Sequence, residues 1–154
     1  MYQLIIILGV LALSTTSYAA DNTLTITSSA AAAQAANQVK WNYYSNDMFA
    51  KAKNENKTVL LFVMSDTCPF CQQMKNDTLA NSVIIDQISS RFYPVILDVA
   101  TERKAAKKLG ITTVPVIMYF DASGKLVKTN KGLIDAGSML SEMAVASLLL
   151  NQTR

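Results

Sequence analysis

The sequence predicts an α/β protein, a mixed β-sheet with helices on both faces. Three observations carry that reading. The apolar runs TVLLFVM (58–64) and VIMYF (116–120) are too short for helices between their polar borders, and they read as strands buried on both sides. Segments with helical spacing alternate with these runs, as in β-α-β units. Asp121-Ala122-Ser123-Gly124 then turns VIMYF into the alternating stretch Lys125–Thr129, a hairpin that adds antiparallel strands to a parallel start.

Taken in order, Val39–Tyr44 reads as a short strand or the lead-in to a helix. Asn46-Asp47 offers an N-cap for a helix carrying Met48, Phe49 and Ala52 and ending at the polar Asn54-Glu55-Asn56. After the strand Thr58–Met64, a helix is expected from Pro69 to about Leu79, and a second, capped by Ser82, through Val83, Ile84, Ile85 and Ile88. Phe92–Val99 is the next strand, with Pro94 near its start, where a missing N–H is tolerated. Thr101–Leu109 is a charged helix stopped by Gly110. The final helix is capped by Asp135 or Ser138, with Met139, Leu140, Met143, Ala144, Leu148 and Leu149 as its apolar face. Trp41, Tyr43 and Tyr44 are assigned to core or domain-edge packing, and Met139 and Met143 to the apolar stripe of that last helix.

Three regions divide the chain: a signal peptide at 1–19, a low-complexity linker at 20–38 and a folded domain at 39–154. Leu4–Leu13 is LIIILGVLAL, well short of the roughly 20 apolar residues of a spanning helix. Small polar residues and Ser17-Tyr18-Ala19 follow, which fits export with cleavage after Ala19. The n-region MYQ has no Lys or Arg, so an uncleaved, membrane-tethered form stays open. Between Asp21 and Gln38 lie Ser, Thr, Ala and Asn with almost no large apolar residue, so nothing there can drive folding.

Composition narrows function further. Hydrophobic residues make up 51% and charged residues 16%, which excludes a disordered chain. The 14 basic and 11 acidic residues are interspersed, without a nucleic-acid footprint. With no histidine at all, Ser-His and Cys-His nucleophiles and histidine proton shuttles are excluded. No cofactor or metal is expected, since a zinc site needs four ligands and the chain has two cysteines. Asn-x-Thr sequons at Asn56, Asn76 and Asn151 would matter only in a eukaryotic secretory host.

Those cysteines, Cys68 and Cys71, form a C-x-x-C pair directly after a buried strand. Pro69 suits the first helical position, where its missing N–H is of no consequence. Cys68 is thereby placed at the N-cap, where unpaired N–H groups and the helix dipole favour a thiolate. Cys71 follows one turn later, within disulfide reach. A structural disulfide closing so short a loop would stabilise poorly. The reading preferred is thiol–disulfide exchange, with Cys68 as nucleophile and Cys71 as resolving thiol. Thr112-Thr113-Val114-Pro115, ahead of the VIMYF strand, is the second feature.

With TVLLFVMSDTCPFC, TTVP and the DASGK turn in view, the chain from about Val39 to Leu150 resembles the thioredoxin superfamily. It looks most like the small exported proteins of Gram-negative bacteria of the SoxW-type periplasmic group, which share a Cys-Pro-aromatic-Cys after a VLLF-like strand. The resemblance implies a thioredoxin fold and a cis Pro115 facing the cysteine pair. It also implies that Pro69, Phe70, Val114 and Pro115 contact substrate, the Val114 backbone pairing with a bound peptide as an added strand. Cytosolic thioredoxins carry a buried Asp six residues before the first cysteine and a Trp just before it. Here Phe62 and Thr67 stand at those positions, so the proton acceptor for Cys71 is absent or replaced. Asp66 and Lys75 lie nearby and are read as solvated surface groups. The 44-residue spacing from Cys71 to Pro115 is too short for the helical insertion of DsbA-type oxidases.

The function expected is an exported, periplasmic oxidoreductase of disulfide-containing proteins, a reductase in preference to an oxidase. It would be recharged by a DsbD- or CcdA-type membrane partner and would bind no nucleic acid. The alternative is a thioredoxin-fold peptide-binding or chaperone-like module that contacts partners through Phe70 and the Val114–Pro115 edge without redox turnover. A weaker third reading is copper handling by the dithiol.

Overall fold

Residues 38–152 are described by the computed structural model. The expected signal peptide and linker lie outside them, Gln38 excepted. The described residues form β1 (Asn42–Tyr43), α1 (Met48–Asn54), β2 (Thr58–Met64), α2 (Pro69–Gln73, continued by a π-helical turn over Met74–Thr78), α3 (Ser82–Arg91), β3 (Phe92–Asp98), α4 (Arg103–Lys108), β4 (Val116–Phe120), β5 (Leu126–Lys131) and α5 (Ala136–Gln152). No helix among them is long and apolar enough to cross a membrane.

The sheet order is β1-β3-β2-β4-β5. β2 is central, parallel to β3 and antiparallel to β4, and every residue of β2 and β4 is buried. Such strands need apolar side chains on both faces, and the two continuous runs supply them. Alternation sorts the side chains into two cores. Leu60, Phe62, Met64, Phe92 and Ile117 share one core with Cys71, Met74, Ile84, Ile88, Met139 and Met143, from α2, α3 and α5. Val59, Leu61, Val63, Tyr93, Val95 and Leu97 share the other with Met48 and Ala52 of α1 and Ala105 and Ala106 of α4. Each fully buried aliphatic or aromatic side chain contributes about 1.5–3 kcal/mol.

Several local expectations need correction. Asn81, one residue before Ser82, caps α3, its side chain accepting from the Val83 and Ile84 N–H groups at 3.0 and 3.4 Å. Asp47 precedes α1 without capping it, and its carboxylate pairs with Lys51 at 3.0 Å instead. α5 buries Met139, Met143, Ala146 and Leu150, whereas Ala144 and Leu148 face solvent. Asp135 is the residue that caps α5, accepting from the Ser138 backbone N–H at 3.0 Å and its hydroxyl at 2.6 Å. Tyr43 is exposed rather than packed, because β1 is an edge strand of two residues; Trp41 meets Phe62 with ring centroids 5.7 Å apart. Pro94 sits in the strand proper, its carbonyl turned toward the β1 edge, where Asn42 Nδ2 reaches it at 3.1 Å. On that side β1 offers β3 only two paired residues, so the proline leaves little of the ladder incomplete.

Gly110 (φ +68°) ends α4 as expected, with the Ile111 N–H returning to the Ala106 carbonyl at 3.0 Å. In the hairpin, Asp121 Oδ1 accepts from the Ser123 N–H (2.9 Å), the Ser123 hydroxyl (2.6 Å) and the Lys125 N–H (3.0 Å). These bonds, the Ser123 hydroxyl foremost, hold the Asp121 carboxyl below its ordinary value. Asp121→Ala is expected to lower stability in urea unfolding by about 1–3 kcal/mol. Asp121→Asn, which keeps an acceptor, should recover part of that loss. The folded carboxyl titrates below the unfolded one, so its contribution is complete above about pH 4 and lost as pH falls through the folded value. The gap between wild type and Asp121→Ala should accordingly narrow in acid.

Candidate active site at the strand–helix junction

β2 leaves the core at Met64, and Ser65–Thr67 turns the chain, with the Cys68 N–H bonded to the Ser65 carbonyl at 3.1 Å. Cys68 is extended (φ −87°, ψ 115°) and is the N-cap of α2, with Pro69 as the first helical residue. Its Sγ takes the place of a capping oxygen, accepting from the Cys71 backbone N–H at 3.2 Å. This is the position where helices leave N–H groups unpaired and where negative charge is favoured.

The two cysteines have opposite environments. Cys68 is half-buried and reaches solvent; Cys71, one turn on, is wholly buried in the core with Phe62 and Met74. Both are free thiols in this structure. Burial pushes the Cys71 thiol up to about 11; a hydrogen bond with Cys68 adds to the rise, and one from the Ser65 backbone opposes it. The Asp98 carboxylate, at the end of β3, also contributes to the rise.

Forty-six residues further along the chain, the segment before β4 arrives at the same place. The Cys68 S–H points to the Val114 carbonyl at 3.9 Å. The Val114–Pro115 peptide is cis, Pro115 is buried and Val114 half-buried. Gly132, at the end of β5, donates its N–H to the Pro115 carbonyl at 2.8 Å and holds that segment from the far side. The structure thus brings Cys68, Cys71 and Val114 together, with Pro115 next in chain. Pro69 starts the helix, and Phe70 stands 60% exposed beside the junction, an apolar side chain available for contact. Asp66 is exposed and Lys75 half-buried. Among the described residues, no group of three or more His, Cys, Asp or Glu could hold a metal ion.

Ser65, Asp98 and Gly132 carry no motif. Only the polar end of the FYPVILDV strand could have drawn attention to Asp98. Chemically, a solvent-reaching sulfur with an N–H donor on it and a protonated thiol one turn behind is suited to capturing and then releasing a disulfide partner.

A family model described as a thioredoxin-like domain matches residues 45–146. The chain belongs to that thioredoxin-like family. Among solved structures it is similar to a thioredoxin from Thermus thermophilus, with a TM-score of 0.64 and 19% identity over 73% of this chain and 91% of that one. It is also similar to the oxidised C-terminal domain of DsbD from Neisseria meningitidis, with a TM-score of 0.56 and 20% identity over 76% and 95% of the two chains. At such identities the likeness concerns the fold alone. A stretch of 78 residues, 51% of this chain, is 34% identical to spermatogenesis-associated protein 20 of Rattus norvegicus, of which it spans 10%.

The raised Cys71 thiol has a measurable consequence. Its folded-state pKa lies above the unfolded value, so the stability gained from burying it neutral is complete below about pH 8.5 and is lost as pH rises toward the folded value. Unfolding followed from pH 8 to 11 should show wild type losing stability faster than Cys71→Ala. Parallel slopes would show that the fold does not protect this thiol from ionisation.

Proposed function

We propose that the protein is an exported thiol–disulfide oxidoreductase acting on disulfide-bonded proteins, working as a reductase in preference to an oxidase. One observation carries this reading: Cys68 Sγ is reachable from solvent at the start of α2 with the Cys71 N–H on it at 3.2 Å, while the Cys71 thiol is buried one turn behind. In the forward step, Cys68 attacks a substrate disulfide as thiolate. A Cys68–substrate disulfide forms, and the other substrate sulfur leaves as thiolate. Cys71 then attacks Cys68 Sγ, the second substrate sulfur departs, and the protein is left with a Cys68–Cys71 disulfide while the substrate is a dithiol.

Phe70 and the Val114–Pro115 edge are the proposed contacts for the substrate peptide, with Pro69 fixing the helix start beside them. The Val114 backbone would pair with an extended segment as an added strand. Return to the dithiol needs two electrons, which we assign to a membrane partner of the DsbD or CcdA type. The apolar segment Leu4–Leu13 and Ser17-Tyr18-Ala19 support export to the periplasm, with or without cleavage.

Cys68→Ser is expected to abolish insulin-disulfide reduction, and Cys71→Ala to accumulate mixed disulfides with substrate. Turnover surviving the first change, or no trapped adduct in the second, would remove the exchange mechanism and leave a peptide-binding module. The direction of exchange has its own measurement. A reduction potential near thioredoxin's, about −270 mV, is expected, and one near DsbA's, about −120 mV, would make the protein an oxidase.

A further inference from the structure

The release step just described, on which the present inference rests, requires Cys71 to lose a proton from inside the core. The chain has no histidine to take it. Along β3, Phe92 and Ile96 point into the core that contains Cys71, while Tyr93, Val95 and Leu97 point into the other. By the same alternation Asp98, two residues after Ile96, lies on the Cys71 face. The register sets Asp98 opposite Met64, the residue before Ser65, whose backbone bonds to the Cys71 sulfur. It is therefore one strand over from the turn that carries the cysteines.

We propose that Asp98 is the general base that accepts the Cys71 proton, directly or through one water, when a captured substrate is released. Its carboxylate suits that task. Oδ1 is committed to the Ala100 N–H at 2.8 Å, which fixes the side chain, while Oδ2 has no hydrogen-bond partner among the described residues. Asp98 is half-exposed, so a proton taken from the core can pass to solvent. The other groups around Cys71 are unsuited. Phe62 and Met64 of β2, Met74 of α2, Ile84 and Ile88 of α3, Ile117 of β4 and Met139 of α5 have no proton to exchange. Tyr119 of β4 is a phenol held protonated by burial and by Glu142 of α5, and Cys68 is itself the sulfur under attack. Asp66 faces solvent from the loop, and Lys75 of the π-turn is a cation.

The step balances without an outside reagent. The Cys71 S–H bond breaks, its proton goes to Asp98, and its electron pair forms the bond to Cys68 Sγ. The Cys68–substrate S–S bond breaks, and the substrate sulfur leaves as thiolate with the electron pair of that broken bond. Asp98 then returns its proton to water.

The experiment uses the reduced protein and Ellman's reagent, whose coloured thiolate is released twice: first by Cys68 attack, then by Cys71. In Asp98→Asn, which keeps an oxygen for the Ala100 N–H, the first release should be unchanged, confirming a folded and reactive protein. The second should slow by at least about tenfold at neutral pH, in keeping with loss of a general base. Its rate should then climb steeply with pH toward the Cys71 titration, unlike that of wild type, and Asp98→Glu should restore much of the wild-type behaviour. Charge alone has the opposite sign, since removing an anion near Cys71 eases its ionisation and would quicken release. A second release in Asp98→Asn that is as fast as wild type, or faster, or that keeps the wild-type pH profile, overturns the proposal. Failure of the first release in wild type would instead overturn the exchange reading beneath it.

Discussion

β2 has no solvent face, and the site depends on that constraint. Six consecutive apolar residues, Val59–Met64, are pinned in the sheet between β3 and β4, and each of their two side-chain rows enters a different core. A slip of one residue would exchange the larger Leu60, Phe62 and Met64 with Val59, Leu61 and Val63, overfilling one core and underfilling the other, so side-chain volume sets the register. A strand fixed in this way delivers its end to one place. The polar Ser65–Thr67 turn can form only after Met64, and Cys68 therefore meets α2 at its first turn.

The difference between the two sulfurs follows from that delivery and from the geometry of one helical turn. The N-cap residue is half outside the helix, so its side chain can fold back over the free N–H groups while remaining near water. A residue three positions later is inside the helix, and on α2 that position faces the sheet. Because α2 packs on Phe62, Cys71 enters an apolar core where a thiolate is poorly solvated, and its thiol is held protonated up to about pH 11. One sulfur is thus exposed to incoming partners and the other kept in reserve.

Much of this was legible in the sequence because it rests on patterns with strong physical causes. TVLLFVM and VIMYF matched β2 and β4 residue for residue, since an unbroken apolar run between polar borders has few other ways to be buried. Pro69 marked the start of α2 for a similar reason. What escaped the sequence was decided by tertiary contact. The π-turn over Met74–Thr78 contains neither glycine nor proline, and it arises where the Thr78 hydroxyl donates to the Ile134 carbonyl at 2.6 Å, a partner 56 residues away. On α5 the sequence offered more apolar residues than the core could accept, and the stripe that packs runs Met139, Met143, Ala146, Leu150, leaving Ala144 and Leu148 outside it. Asp98 escaped because its relevance depends on strand order: β3 lies beside β2 only once the sheet has formed.

The same dependence on tertiary contact explains why the chain after β5 matters to a site whose cysteines lie some sixty residues earlier. Gly132 (φ +88°) gives its N–H to the Pro115 carbonyl at 2.8 Å, and two residues later the Ile134 carbonyl receives the Thr78 hydroxyl. One short loop thus fastens the Val114–Pro115 segment with one bond and the far end of the cysteine-bearing helix with another. The β2–β4 ladder ends at Val63 opposite Val116, and the loop adds a hold on the residues just beyond it, where the Cys68–Val114 contact at 3.9 Å is itself weak. The loop runs straight into Asp135, the cap of α5, so the helix that completes the Cys71 core also begins from this fastening point. The hairpin and last helix therefore belong to the site as much as the Cys-Pro-Phe-Cys turn does: the turn supplies the sulfurs, and the C-terminal elements hold the opposing segment against them.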